Sequence, residues 1–297
     1  MERLYFIVNS LSGGGRCGEC FKLAQAEMHA RGIPYEWVET KHRKHAVELA
    51  RAAYESGERR IVAVGGDGTI NEVASALAGT DAVMGVLPFG TGNDLAKVIG
   101  LPTEPLAALE TLLAGNVRQM DACDANGCFF INVAGFGFDV DVLLCMEKYK
   151  ARYKKGMLPY LLGILDALAH LKSLPIKIHM PDGSIKEMDA VIVAVGNGTH
   201  FGGGMKAVPN ADPFDGLMDI CAIQKVSLIQ FLFLLPRFIK GKHVGLKIVE
   251  YFRADSLYVE GPESSVLDVD GELYSHAPAR FTLQKQALNI LVGAKGA

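Results

Sequence analysis

The sequence predicts a two-domain α/β protein: an amino-terminal α/β domain with a mostly parallel sheet, then a mainly antiparallel β-sandwich. Three observations carry this expectation. Over residues 1–120, apolar runs of strand length alternate with helical stretches, the pattern of parallel strands joined by crossover helices. Beyond residue 120 hairpin signals take over, with Asn126-Gly127 and Asp182-Gly183 each set between β-rich runs. The chain has 297 residues, longer than a typical single domain.

The elements follow in order. Leu4–Val8 reads as a first strand and runs into Asn9-Ser10-Leu11-Ser12-Gly13-Gly14-Gly15 before a helix over residues 21–30. Trp37, the sole tryptophan, falls in the second strand and is assigned to the core. His42 and His45 flank Lys44 at a polar helix start and are expected to face solvent. Residues 61–64 form a buried strand, after which Ile70, Val73, Ala74, Leu77 and Ala78 recur at helical spacing. Thr69 and Glu72 have the spacing of a capping box that would set where that helix begins. Residues 83–87 form a further strand that enters Pro88-Phe89-Gly90-Thr91-Gly92-Asn93-Asp94-Leu95. In the second half, strands are expected at 176–179, 185–195, 247–251, 257–260, 266–269 and 280–283, with helical excursions at 141–172 and 228–240.

Composition narrows the class. Hydrophobic content of 49% with 21% charged residues is that of a globular chain, and a formal charge of −3 gives no global attraction to nucleic acid. No apolar run is long enough to span a bilayer, and the amino-terminal run is strand-length, unlike a signal peptide. Of the six cysteines, Cys17 and Cys20 form the one CxxC pair. A redox or metal site and a pair of reduced thiols are both compatible with it, and one CxxC is a weak signal.

The chemistry concentrates in Gly65-Gly66-Asp67-Gly68-Thr69. A carboxylate stands among glycines at the carboxyl end of a strand, where open α/β sheets place their ligands. Glycines admit a polyphosphate to bare backbone N–H groups, and the following helix terminus favours negative charge. The stretch points to nucleotide phosphates and a metal. No segment matches the Walker pattern, and Gly135-Phe136-Gly137 lacks the last glycine of a dinucleotide fingerprint. One such loop is equally well a tight strand–helix connection. Three strand ends with small, polar, backbone-exposing loops in the first hundred residues favour a binding site.

Gly65 to Thr69, the Gly-Thr-Gly-Asn-Asp run at 90–94 and Val269-Asp270-Gly271-Glu272 resemble the signatures of diacylglycerol-kinase-type lipid kinases, including bacterial soluble lipid kinases and their sphingosine and ceramide kinase relatives. NAD kinases share the GGDG loop more distantly. Gly202-Gly203-Gly204 through Pro209, Asp215-Gly216 and Asp219 extend the resemblance over nearly the whole chain. Ser10 departs from it, since many members have proline there; no phosphate-binding group is lost. The resemblance implies a catalytic domain over 1–120, a lipid-binding sandwich over 121–285, and a return of 286–297 to the first domain.

It also implies roles. Asn9, Ser12 and Gly13 line the ATP phosphate loop, Thr40 stands near the nucleotide, Gly65, Gly66, Gly68, Thr69 and Asn71 cradle the phosphates, and Thr91 and Asn93 complete the cleft. Asp67 is the candidate for a catalytic Mg²⁺ network, because Mg²⁺ prefers carboxylate, water and phosphate oxygens. Asp94 joins that network or caps its own helix. Asp270 and Glu272 supply a proton acceptor for the lipid hydroxyl, and the sequence leaves open which of them acts. An Asp-Gly pair is also a common hairpin turn. The carboxylate of Asp215 with the carbonyls of Asp212 and Leu217 corresponds to a structural Mg²⁺ turn; a solvated acidic turn is the competing reading.

Two segments bear on the lipid. Lys148, Lys150, Arg152, Lys154 and Lys155 interleave with Tyr149 and Tyr153, and each charge near an anionic membrane contributes about 1 kcal/mol. A solvated helix face explains the same cluster. Residues 228–240 are apolar and then basic, as a buried helix or an acyl-chain entrance would be. His243 belongs either beside the cleft or to the structure. The expectation is an ATP- and Mg²⁺-dependent lipid kinase, cytoplasmic and transiently at a membrane surface, binding no nucleic acid; a homodimer is suggested by relatives alone. The alternatives are phosphorylation of a soluble acceptor in the manner of an NAD kinase and a non-catalytic nucleotide-responsive regulator.

Overall fold

The computed structural model describes residues 3–150 and 158–293. Strands β1 (Leu4–Val8), β2 (Tyr35–Glu39), β3 (Arg60–Gly65) and β4 (Val83–Pro88) form a parallel sheet in the order β2-β1-β3-β4. Helices α1 (Arg16–Ala30), α2 (His45–Glu55), α3 (Asp67–Leu77), α4 (Asp94–Val98) and α5 (Pro105–Ala114) accompany it. Strand β1 shows why helices cover both faces. Leu4, Phe6 and Val8 pack with Phe21 and Met28 of α1 and Leu109 of α5. Ile7 points the other way, among Ala50 of α2 and Ile70 and Val73 of α3. With both faces apolar and covered, the strand ends are where polar backbone remains for a ligand.

The chain continues through β5 (Val117–Ala125), β6 (Cys128–Phe130) and β7 (Val133–Gly137), helices α6 (Phe138–Lys150) and α7 (Leu158–Ala169), and strands β8 (Leu174–His179), β9 (Ile185–Gly196) and β10 (Met218–Gln224). Helix α8 (Leu228–Ile239) precedes β11 (Val249–Ala254), β12 (Ser256–Glu260), β13 (Val266–Val269), β14 (Glu272–His276) and β15 (Ala279–Leu291). Pairings among β7 to β14 are antiparallel. Their shared core holds Phe136, Ile178, Val193, Ile220 and Phe281, while α6, α7 and α8 pack on the outer side of β9 and β10.

Strand β15 belongs to both halves. It pairs antiparallel with β12 near Thr282 and parallel with β4 at Asn289 and Ile290, and β5 runs antiparallel beside it. The register shifts between Gln284 and Leu288, where Gln286 takes a φ of 53°. The buried Asp121 holds this bulge by accepting from the Gln286 amide at 2.7 Å.

Two expectations need correction. Trp37 is 49% exposed, because β2 is the edge strand; its indole packs edge-to-face with Phe21, ring centroids 5.9 Å apart. No capping box forms at Thr69 and Glu72. Helix α3 begins at Asp67 with Gly66 as its N-cap, and Glu72 accepts from the Lys44 and Ala46 amides at the start of α2. The described parts of the stretch 141–172 are helices α6 and α7, and Arg152, Tyr153, Lys154 and Lys155 of its basic cluster lie outside the described residues. Lys148 and Tyr149 both reach Asp166 of α7 at 3.1 Å. Among the described residues, no helix is long and apolar enough to cross a membrane.

Candidate active site

The loop after β1 is a tight turn over Ser12–Gly15, with positive φ at Gly13, Gly14 and Gly15 (62°, 71° and 96°), where a side chain would be strained. It is stitched to the loop after β3. Asn9 Nδ2 donates to Thr69 Oγ1 at 3.1 Å, and the Gly66 amide donates to Ser12 Oγ at 3.3 Å. The loop after β4 presses closer still: a Cβ on Gly90 would stand 2.3 Å from the Gly66 Cα. Only glycine allows that approach.

Asp67 fastens these loops together. Its Oδ2 accepts from the Asn93 amide at 2.8 Å and its Oδ1 from the Asp94 amide at 2.6 Å, so it satisfies the exposed donors at the start of α4. Asn93 closes its own loop, exchanging hydrogen bonds with the amide and carbonyl of Gly90 at 3.0 and 3.2 Å. Thr91 stands exposed on the rim. Asp94, instead of capping, reaches the other half of the molecule: Oδ2 accepts from the Gly203 amide and Oδ1 from Lys97 Nζ, both at 2.8 Å. Burial pushes the Asp67 carboxyl above the usual range, the charge of Asp94 adds to this, and the amides of Asp94 and Asn93 pull it back.

Above these loops lies a cleft of about 410 Å³ lined by Asn9, Ser12, Thr40, Lys41, Gly68 and Glu72. Gly68 and Glu72 also line an adjoining cavity of about 310 Å³ that contains Asn71, Asp270, Glu272 and Tyr274. The two spaces therefore form one groove, which brings the glycine loops and the late carboxylates together.

Asp270 and Gly271 are the two-residue loop of the β13–β14 hairpin, with positive φ at both (51° and 84°). The hairpin reading holds, and the same turn also lines the groove. Asp270 Oδ1 accepts from the amides of Asn132 and Val133 at 3.1 and 3.0 Å, and Oδ2 from Ile131 N at 2.9 Å and Asn71 Nδ2 at 3.1 Å. Burial pushes this carboxyl up to about 7; the three amides pull against it, and the nearby charge of Asp67 adds to the rise. When ionised, Asp270 has a donor on each of its four lone-pair directions. It ties α3 to the second half of the chain.

Glu272 is half-buried and less fully engaged. Oε1 meets the Arg43 guanidinium at 2.6 Å and Oε2 accepts from the Tyr274 hydroxyl at 3.0 Å, leaving room on each oxygen. Burial and the bond to Glu272 raise Tyr274 to about 12. Sequence reading missed both partners. Tyr274 could have been found from its spacing, since residues two apart on a strand share a face. Arg43 carried no local signal.

The far side of this turn is apolar. Gly271 borders a cavity of about 340 Å³ formed by Phe138 and Val142 of α6, Ile164 of α7, and Leu235 and Phe238 of α8. His243 lies outside both the groove and this cavity: it is buried, with Nε2 3.0 Å from the Ala207 carbonyl, and burial lowers it from its ordinary value.

The acidic turn at 212–217 stands apart from the groove. Asp215 pairs with Arg253 and accepts from the Leu217 amide at 3.1 Å, while Asp212 accepts from Phe214 N at 3.1 Å. Arg253 Nε also lies 3.3 Å from the buried Asp219. Cys17 and Cys20 are buried against Phe6 and Phe21, and burial pushes the Cys17 thiol up to about 12, opposite to a reactive thiolate.

Comparison with known proteins adds the following. Residues 3–125 match the diacylglycerol kinase catalytic domain, and residues 132–292 match the YegS C-terminal NAD kinase β-sandwich-like domain. The chain is 33% identical over 291 residues to the diacylglycerol kinase of Mycobacterium tuberculosis (strain H37Rv), covering 96% of this chain and 93% of that protein. It is 32% identical over 289 residues to the diacylglycerol kinase of Bacillus subtilis (strain 168), covering 95% and 93%. A diacylglycerol kinase crystal structure from Bacillus anthracis str. Sterne superposes with a TM-score of 0.74 at 23% identity, covering 100% of this chain and 98% of that one. Yeast NADH kinase shares the fold at a TM-score of 0.53 and 12% identity, covering 98% of this chain and 82% of that one.

Proposed function

Because the chain belongs to the diacylglycerol kinase catalytic-domain family, we propose that it transfers the γ-phosphoryl group of ATP to the hydroxyl of a diacylglycerol or closely related lipid. The observation that carries this reading is the position of the Asp270-Gly271-Glu272 turn. It borders the polar groove on one side and the apolar cavity on the other. A phosphorylated cosubstrate and an apolar acceptor can therefore meet at one pair of carboxylates.

The ATP phosphates take the cleft of Asn9, Ser12, Thr40, Gly68 and Thr69, against backbone donors of the glycine loops. The lipid oxygen forms a bond to the γ-phosphorus as the bond from that phosphorus to the bridging oxygen of ADP breaks. Glu272 takes the hydroxyl proton, because each of its oxygens keeps a free lone pair whereas ionised Asp270 has none. Tyr274 and Arg43 orient Glu272, and Asp270 holds the turn against Asn71. Asp67 and Asp94 would be the residues to hold a divalent cation, Asp67 being balanced by amides, those of Asn93 and Asp94, while Lys97 already pairs with Asp94. Mg²⁺ held there would supply neutralising charge to the phosphates. The turn at 212–217 fits one poorly, since Arg253 already neutralises Asp215.

The test offers labelled ATP and Mg²⁺ to the purified chain with separate panels of diacylglycerol, phosphatidylglycerol, sphingoid bases, NAD and nucleosides. Label in diacylglycerol or a close relative is expected. Transfer to NAD with none to lipid would replace this reading by the soluble-acceptor one, which the shared fold with yeast NADH kinase keeps in view. ATP binding with no transfer would favour a regulator.

A further inference from the structure

Helix α8 carries more apolar surface than the fold uses. Phe231, Leu234 and Phe238 face inward and are buried, Phe231 against Phe138 with ring centroids 4.6 Å apart. The opposite side is equally apolar. Leu228, Ile229, Leu232 and Phe233 are exposed, Ile229 at 68% and Phe233 at 74%, and Pro236 and Ile239 continue the stripe. Only Gln230 and Arg237 put exposed polar groups on α8, and its protein partners cover one side, so a second apolar face is left over. The chain segment that carries it has charge of one sign. Residues 220–249 include Lys225, Arg237, Lys240, Lys242 and Lys247, all exposed, and contain no aspartate or glutamate.

We propose that the outward face of α8 is a membrane-docking surface that inserts Leu228, Ile229, Leu232 and Phe233 into a bilayer rich in anionic headgroups. The helix has 12 residues, about 18 Å at 1.5 Å per residue, too short to cross and suited to lying in the interface. Lysine and arginine around an apolar face match anionic lipid on both counts. A second copy of the chain matches poorly, because a two-fold pairing of this face would oppose its cations to themselves. Continuity with the cavity supports the same occupant. Leu235, Phe238 and Ile239 of α8 line the apolar space that also touches Gly271, so the cavity extends from the proposed docking helix to the turn that carries the carboxylates. This inference deepens the lipid-kinase reading and rests on it for the nature of the cargo, though the docking itself is measured separately.

The experiment sediments the full chain with phosphatidylcholine vesicles prepared with and without phosphatidylglycerol. The wild-type chain is expected to partition onto the anionic vesicles, and the doubly substituted Ile229→Asp, Phe233→Asp chain to lose about tenfold or more of that partition. Its activity on a short-chain diacylglycerol dispersed in water is expected to stay at the wild-type level, because neither side chain lines the groove or the cavity. A second variant reads insertion directly: Phe233→Trp, in a Trp37→Phe background, is expected to shift its emission to the blue on anionic vesicles. Unchanged partition of the double variant, no emission shift, or a wild-type dimer that the double variant dissolves would each overturn the docking surface. If partition behaves as expected while no lipid is ever phosphorylated, the docking surface stands and the lipid-kinase reading falls.

Discussion

The glycine-loop groove and the outer face of α8 answer opposite physical demands. In the groove nearly every polar group is engaged by another part of the chain: Asp67 by two amides, Asn93 by Gly90, Asp270 by three amides and Asn71. The site is held before any ligand arrives, which is what electrostatic stabilisation of a transferring phosphoryl group requires. On α8 the outward side chains are largely exposed, and their apolar area has a use only when something else covers it. One region is complete in itself and the other is completed by its surroundings. The contrast also separates what substitutions should do: in the groove they should damage the fold and the chemistry together, and on α8 neither.

The sharpest way to break the first half of that contrast is Gly90→Ala. The added Cβ would stand 2.3 Å from Gly66 Cα, and both partners are backbone, so relief requires the two loops to part. Parting them pulls the Asn93 and Asp94 amides from Asp67. Activity should fall on the order of 10³-fold or more, with ATP binding lost in titration calorimetry. Gly68→Ala is the control, since a Cβ there meets nothing within 4 Å; it should fold as the wild type does. Equal urea midpoints of the two variants would show that the loops are not mutually held.

Within the groove, the two late carboxylates should also separate. Glu272→Gln removes the proposed proton acceptor and keeps its shape. It is expected to lower kcat by about 10²–10⁴-fold and leave nucleotide affinity unchanged, as measured by steady-state kinetics alongside ATP titration. A kcat within a few-fold of wild type would transfer the role to Asp270.

How much of this was legible in the sequence depends on where each requirement lies. The three glycine loops could be read because their constraint is local: a strand end followed within a few positions by glycines and small polar residues, with a carboxylate in two of the three. The Asp270-Gly271 hairpin was legible for the same reason. The partners of Asp270 were not, since the amides of Ile131 to Val133 and the side chain of Asn71 come from segments distant in sequence. Glu72 misled because its spacing from Thr69 satisfies a local rule, while a competing helix start at Lys44 and Ala46 claims it. Trp37 misled because sequence does not announce which strand ends at the sheet edge. For α8 the apolar composition was plain, but which side faced inward was not; only the packing of Phe231 and Leu234 assigns it.

The smallest expected effect concerns charge in the groove. Burial raises Asp270 from 3.8 to about 7, so between those values the folded chain retains a proton that the unfolded chain has released. More protons bound in the folded state means that stability falls as pH rises through this window. The contribution is fully present below about pH 4 and lost above about pH 7, opposite in sign to that of a carboxylate stabilised by a salt bridge. Urea midpoints of the wild type should therefore decline between these limits by more than those of Asp270→Asn, whose side chain does not titrate and still tolerates the positive φ. On the outer face of α8, Phe233→Asp should add no decline of its own over the same range. If wild type and Asp270→Asn fall in parallel, the four donors around Asp270 hold its charge strongly enough to offset burial, and the groove is more completely satisfied than its desolvation implies.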